Sequence, residues 1–179
     1  MLVFVDYEHA DGFEREHGPK VLAGRTSITY RLEDLAGTHC HLVRYDRVDQ
    51  ALLDKIGATA IFISGNSFAP DDYDPHALEP IHAIIRETEL PLFGFCGGFQ
   101  LIAQALGADI VALPASDGPS LVTTKDGRLF EFGYHPVELA VENSGHPLLA
   151  GLGNQPIFRH AHGLHVPELP GKFVNLAST

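Results

Sequence analysis

The chain alternates short apolar runs with longer segments in which apolar residues recur every three or four positions. "LVFVD" (2–6) predicts a buried strand. "GPKVLAGRTSITYRLEDLAG" (18–37) carries Val21, Leu22, Ile28, Leu32 and Leu35, and predicts a helix opened by Pro19 and closed by Gly37. "THCHLVRY" (38–45) reads as a second strand. "VDQALLDKIG" (48–57) reads as a short helix with Gly57 just past its end. "ATAIFIS" (58–64) is a third strand, ending at Gly65. "DPHALEPIHAIIRETE" (74–89) is a third helical region with Pro75 in its first turn. "LPLFGF" (90–95) is a fourth strand and "GFQLIAQALG" (98–107) a fourth helix.

Strands that alternate with helices imply βαβ units. The expected fold is α/β, a doubly wound, mostly parallel sheet with helices on both faces. After about Gly107 the pattern changes. "DIVALP", "LVTTKDG", "RLFEFGYHPVELAVE" and "PIFRHAHGLHV" look like shorter strands joined by Gly, Pro and Asp turns, so the second half is expected to be antiparallel and rich in hairpins.

Composition narrows the function classes. The 179 residues are 45% hydrophobic and 20% charged, ordinary for a soluble globular chain. The formal net charge of −11 and the lack of a basic run disfavour a phosphate-backbone partner, so no nucleic acid is expected. The N-terminus has no basic segment and no long apolar one. Neither a signal peptide nor a membrane span is expected, and the cytoplasm is the default location. Cys40 and Cys96 read as reduced thiols.

Cys96 is the candidate for chemistry. It stands alone between a strand and a helix, and Gly94 and Gly98 flank it at −2 and +2. A strand-to-helix turn that tight strains the junction residue, and small neighbours relieve the crowding. G-x-C-x-G is therefore the spacing of a nucleophile elbow. The elbow falls at the carboxyl end of a strand, where open α/β sheets place their ligands. The helix N-terminus favours the thiolate, and the Gly97 amide faces the place where an oxyanion would form.

The wider segment "PLFGFCGGFQLIAQALG" resembles the nucleophile segment of the class I (triad-type) glutamine amidotransferases. Pro91, Gly94, Cys96, Gly98, Gln100, Leu101, Ala103 and Gly107 fall on its pattern. "AIFISGNSFAPDDYD" (60–74) is similar to the family's oxyanion strand and loop; Ser64 and Gly65 match, and Asn66 and Ser67 replace a Gly and a Pro. "EFGYHPVEL", "HPLLAGL" and "FRHAHGLHVPELPGKFVNLAST" resemble later segments of the family in order. The resemblance implies that L-glutamine is hydrolysed to glutamate and ammonia through a γ-glutamyl thioester on Cys96. The amides of Gly97 and of the Gly65–Asn66 loop would hold the oxyanion. Gln100 would touch the substrate, and the His162-Gly163-Leu164 loop would offer it backbone groups. A synthase subunit would receive the ammonia. The long polar stretch from Tyr7 to Asp34 is read as a surface for that partner or for a homodimer, and a solvated face explains it as well.

A nucleophile of this kind needs a base and a group that orients it. The family uses a His-x-Glu triplet beyond the segment matching "FVNLAST", and the 179 residues contain no such triplet. "HPVE" (135–138) and "HVPE" (165–168) have the wrong spacing. The chain is therefore expected to be one domain, 1–179, without its C-terminal end; the other reading is a catalytically degenerate binding subunit. A cysteine hydrolase of the PfpI or α/β-hydrolase type is a further alternative, against which Gln100 and "LPGKF" count. His160, His162 and His165 are read as sharing a strand face, but no cysteine joins them. No metal site is expected, no ATP-binding glycine-rich loop is found, and no cofactor is implied.

Overall fold

The computed structural model describes residues 1–114, 121–123, 127–140, 145–153, 155–171 and 173–178. They form two compact units, Met1–Leu106 and Gly107–Thr179. The division coincides with the change of pattern seen in the sequence.

The first unit is a four-stranded parallel sheet of β1 (Leu2–Asp6), β2 (Cys40–Arg44), β3 (Ala60–Ile63) and β4 (Leu92–Gly94), in the order β2-β1-β3-β4. Five helices accompany it: α1 (Ala10–Glu14), α2 (Gly18–Ala36), α3 (Gln50–Ile56), α4 (Pro75–Glu87) and α5 (Gly97–Ala105). The crossover from β1 to β2 runs one way along the sheet and that from β3 to β4 the other. Right-handed crossovers then put α2 on the face opposite α4, and the order switches direction between β1 and β3. The expected doubly wound arrangement is present.

Local chemistry explains the boundaries. Gly37 and Gly57 both take left-handed backbone, at φ 61°, and close α2 and α3. The side chains of Asp49 and Asp74 accept hydrogen bonds from the backbone amides of Leu52 and His76, and so cap α3 and α4. Helix α1 was not anticipated: it interrupts the polar stretch after β1 with one short turn, capped by His9. The core is the sheet itself. Val3, Phe4, Val5, Ile61 and Ile63 are fully buried, and each such side chain stabilises the fold by about 1.5–3 kcal/mol. No described helix is long and apolar enough to cross a membrane.

The second unit is built from short antiparallel pairs. The sheet of β6 (Leu121–Thr123), β7 (Leu129–Pro136) and β9 (Ile157–His162) is ordered β6-β7-β9. Two-residue strands make the other pairings: β5 (Val111–Ala112) with β10 (Leu164–His165), and β8 (Glu138–Leu139) with β11 (Ala177–Ser178).

Candidate active site

Cys96 sits between β4 and α5 in a backbone conformation of φ 49°, ψ −109°, the one positive φ among described residues other than glycine. Side chains rarely adopt that geometry, and strain of this kind, of order 1–3 kcal/mol, concentrates at functional sites. The flanking glycines are sterically required. A β-carbon on Gly94 would strike the backbone of Gly98 and Phe99, and one on Gly98 would strike the Ile63 carbonyl. The turn is tied by Gly98 N–H donating to Phe95 O at 2.9 Å and Gln100 N–H donating to Cys96 O at 3.1 Å. Cys96 is exposed, is not in a disulfide and stands at the N-cap of nine-residue α5. The positive helix end stabilises a thiolate there.

The loop after β3 lies against the elbow. A β-carbon on Gly65 would come 3.6 Å from Cys96 Cβ, and one on Gly97 would come 3.2 Å from the backbone nitrogen of Asn66. The orientation of the Gly65–Asn66 peptide has a visible cause. Arg25 Nη2 donates to Gly65 O at 2.7 Å, and Ser64 Oγ donates to it at 2.8 Å. The carbonyl is held toward Arg25, and in a planar trans peptide the Asn66 N–H must point the opposite way. Arg25 is itself anchored: Nε donates to Asp6 Oδ1 at 2.8 Å, with Glu8 Oε2 3.9 Å from Nη2. Asp6 and Glu8 are buried, and Arg25 balances their charge.

The Asn66 side chain braces the loop from its other end. Its Nδ2 donates to Phe68 O at 2.8 Å and to Tyr73 Oη at 2.9 Å, and Tyr73 Oη donates to Tyr7 O at 2.8 Å. Burial pushes the Tyr73 phenol far above its usual range, so it remains a donor. Glu8 Oε1 accepts from Ser67 Oγ at 2.9 Å. The residues that depart from the Gly-Pro of the family pattern are thus built into hydrogen bonds of their own.

Cys96, Gly97, Gly65 and Asn66 are brought together, and Gln100 lies one turn along α5. Arg25 and Asp6 were missed by sequence reasoning. An Asp closing an apolar strand was the only available signal.

The other assigned residues belong to the second unit. His162 ends β9, Gly163 follows and Leu164 begins β10. Gly163 O accepts from Leu113 N–H at 3.1 Å, and His162 Nδ1 lies 3.1 Å from Leu164 O. His165 does not share a face with His160 and His162 as expected. It stands three positions past His162, an odd step that strand alternation puts on the opposite face, and it pairs with Val111 in a separate sheet.

One cleft of the first unit, about 650 Å³, is lined by Leu53, Gly57, Ala58 and Glu87–Leu90. These residues lead into β3 and β4, so the cleft is at the amino ends of the strands. Cys96 and Gly65 follow the carboxyl ends, where the chemistry is expected.

Residues 25–179 match the family profile of Glutamine amidotransferase class-I. Among curated proteins, the chain is similar to the glutamine-hydrolysing GMP synthases of Thermomicrobium roseum (31% identical over 150 residues, 84% of this chain and 24% of that protein) and Phenylobacterium zucineum (29% over 154 residues, 84% and 25%). It spans about a quarter of the length of these relatives. Among solved structures, a Thermoplasma acidophilum protein provisionally named a GMP synthase subunit shares the fold at TM-score 0.65 (21% identity, 100% of this chain, 73% of that one). A glutamine amidotransferase from Methylobacillus flagellatus does so at 0.64 (17%, 98% and 60%). A profile match that runs through the elbow and its neighbouring loop covers most of the sequence, and the chain belongs to the class-I glutamine amidotransferase family.

Proposed function

We propose that this chain hydrolyses L-glutamine to glutamate and ammonia and supplies the ammonia to a synthase partner in the cytoplasm. The observation that carries this reading is Cys96, held in strained backbone at the N-terminus of α5 with the Asn66 amide alongside. The thiolate attacks the side-chain carbonyl carbon of glutamine. Charge collects on the carbonyl oxygen, and the N–H groups of Gly97 and Asn66 are the donors for it. The C–N bond breaks, ammonia leaves with a proton, and a γ-glutamyl thioester remains on Cys96. Water then attacks the thioester, releases glutamate and restores the thiol. Gln100 keeps its assignment as a substrate contact, and the His162–Leu164 turn its assignment to substrate recognition. No His-x-Glu triplet occurs in the 179 residues, and no residue here is assigned the acid–base role. The similarity to GMP synthases favours a nucleotide-amidating synthase as acceptor. Leu22, Tyr30 and Leu35 of α2 are exposed, which supports the polar stretch and its helix as the partner or homodimer surface.

The test is covalent labelling with a glutamine analogue carrying an electrophile at the γ position, read by intact and peptide mass. One adduct is expected, on Cys96. Cys40 should stay unlabelled: it is buried, and burial followed by the nearby Glu33 carboxylate raises its pKa. Millimolar L-glutamine should slow the labelling, and Cys96→Ala should abolish both it and ammonia release. Labelling at Cys96 that glutamine leaves unchanged would overturn the reading.

A further inference from the structure

Strands β7 and β9 pair with Glu131 directly opposite His162 and Gly133 opposite His160. Residues 131, 133, 160 and 162 therefore share one face of the sheet. Gly133 carries no side chain, and at φ 128° the position suits no other residue. The His160 ring is thus diagonal to Glu131 with no side chain directly opposite it. Both imidazoles converge on one carboxylate oxygen: His162 Nε2 is 3.0 Å and His160 Nδ1 3.1 Å from Glu131 Oε2. The three atoms lie within 4.8 Å of one another. Glu131 and His160 expose about a tenth of their side chains.

The other nitrogen of His162, Nδ1, is 3.1 Å from the Leu164 carbonyl, which can only accept. Nδ1 therefore donates to it, and Nε2 is the nitrogen that faces the carboxylate oxygen. His160 Nδ1 is close to the same oxygen but off the line a hydrogen bond requires, and it makes no hydrogen bond despite being buried. Two imidazole nitrogens and a carboxylate oxygen gathered in this way can hold a positive centre among them. His135, whose ring packs 5.6 Å from that of His160, does not join them, because its Nε2 is turned to Phe132 O at 3.0 Å.

We propose that Glu131, His160 and His162 form a binding site for a divalent transition-metal ion of the zinc class. Two imidazole nitrogens and one carboxylate oxygen are a common ligand set for such ions, bound at about 2.0–2.2 Å, which places neighbouring ligand atoms roughly 3.3 Å apart. The observed 3.0 and 3.1 Å are close to that spacing. The hydrogen bond from His162 Nδ1 to a backbone carbonyl is the outer contact that usually fixes a ligating imidazole in its tautomer. A bound ion clamps the end of β9 to β7 just before the Gly163 turn, and so fixes the entry to β10.

The experiment is metal binding by the chelator-stripped full chain, independent of glutamine hydrolysis. Cobalt(II) is titrated and followed by its visible absorption, then displaced with zinc. One ion per chain is expected, with a rise in melting temperature on adding zinc. Glu131→Gln, which keeps the shape of the side chain, and His160→Asn should each weaken binding at least tenfold. His39→Ala, an exposed residue outside the cluster, should not change it. If His160→Asn fails to fold, Glu131→Gln carries the test. Absence of binding at one equivalent, or binding equally tight in Glu131→Gln, would overturn the proposal.

Discussion

Replacing Arg25 probes the donor geometry beside Cys96 without touching the nucleophile. Arg25 is mostly buried and spans two acceptors, Asp6 Oδ1 at 2.8 Å and Gly65 O at 2.7 Å. A lysine keeps the charge near Asp6 and Glu8, but a single ammonium cannot reproduce the guanidinium fork. The loss of a charge-assisted hydrogen bond to Gly65 O is worth about 1.5–3 kcal/mol. If all of that appears in the barrier, the rate falls about ten- to a hundred-and-fifty-fold. At most this reaches the lower end of the hundred- to thousandfold typical of deleting an oxyanion donor outright, as it should, because Ser64 Oγ still holds the carbonyl. Charge on the substrate oxygen develops only in the transition state. Arg25→Lys should therefore lower kcat for glutamate formation and leave KM within about threefold. Arg25→Ala should behave differently, since it leaves the Asp6 and Glu8 carboxylates buried without a cation, at a cost of about 3–5 kcal/mol in stability. Glutaminase kinetics and urea denaturation of both variants separate the two effects. A destabilised Arg25→Lys with the parent kcat would refute the reasoning and reduce Arg25 to a structural ion pair.

Two further perturbations follow from packing and burial. Gly98→Ala drives a methyl group into the Ile63 carbonyl and should cost about 1–3 kcal/mol or more, whereas Gly24→Ala, in open space on α2, should stabilise by about 0.4–1 kcal/mol; thermal melts of the pair check this. His82 of α4 has a buried Nε2 with no hydrogen bond, and burial, followed by Arg86, lowers its pKa from the ordinary 6.5. The unfolded chain then binds a proton that the folded chain resists. Stability should be full above the ordinary value and fall as pH drops below it toward the folded one, and His82→Gln should flatten urea midpoints measured between pH 7.5 and 5.

The elbow was legible because its chemistry is local. Gly94, Cys96 and Gly98 lie within five residues, and the strain they relieve is set by that spacing. The strands of the first unit and its helices other than α1 were legible for the same reason, since the parallel sheet buries unbroken apolar runs such as Leu2 to Val5. Arg25 was not, because its partners Asp6 and Gly65 stand 19 and 40 residues away. Glu131 escaped notice among the histidines because only the register of β7 on β9 puts it opposite His162. The two-residue strands β5, β8, β10 and β11 carry too few positions to show an alternation.

The position of β1 has a consequence for synthesis. It lies between β2 and β3, so both its edges are satisfied only by segments made later, the second of them at Ala60–Ile63. At roughly 5–20 residues per second, Leu2–Val5 leaves the ribosome several seconds before that neighbour exists. Until Cys40–Arg44 emerges this apolar ribbon has unpaired amides and carbonyls on both sides, and one edge stays open until Ala60–Ile63 follows. Shielding by a chaperone should therefore matter most before the third strand emerges.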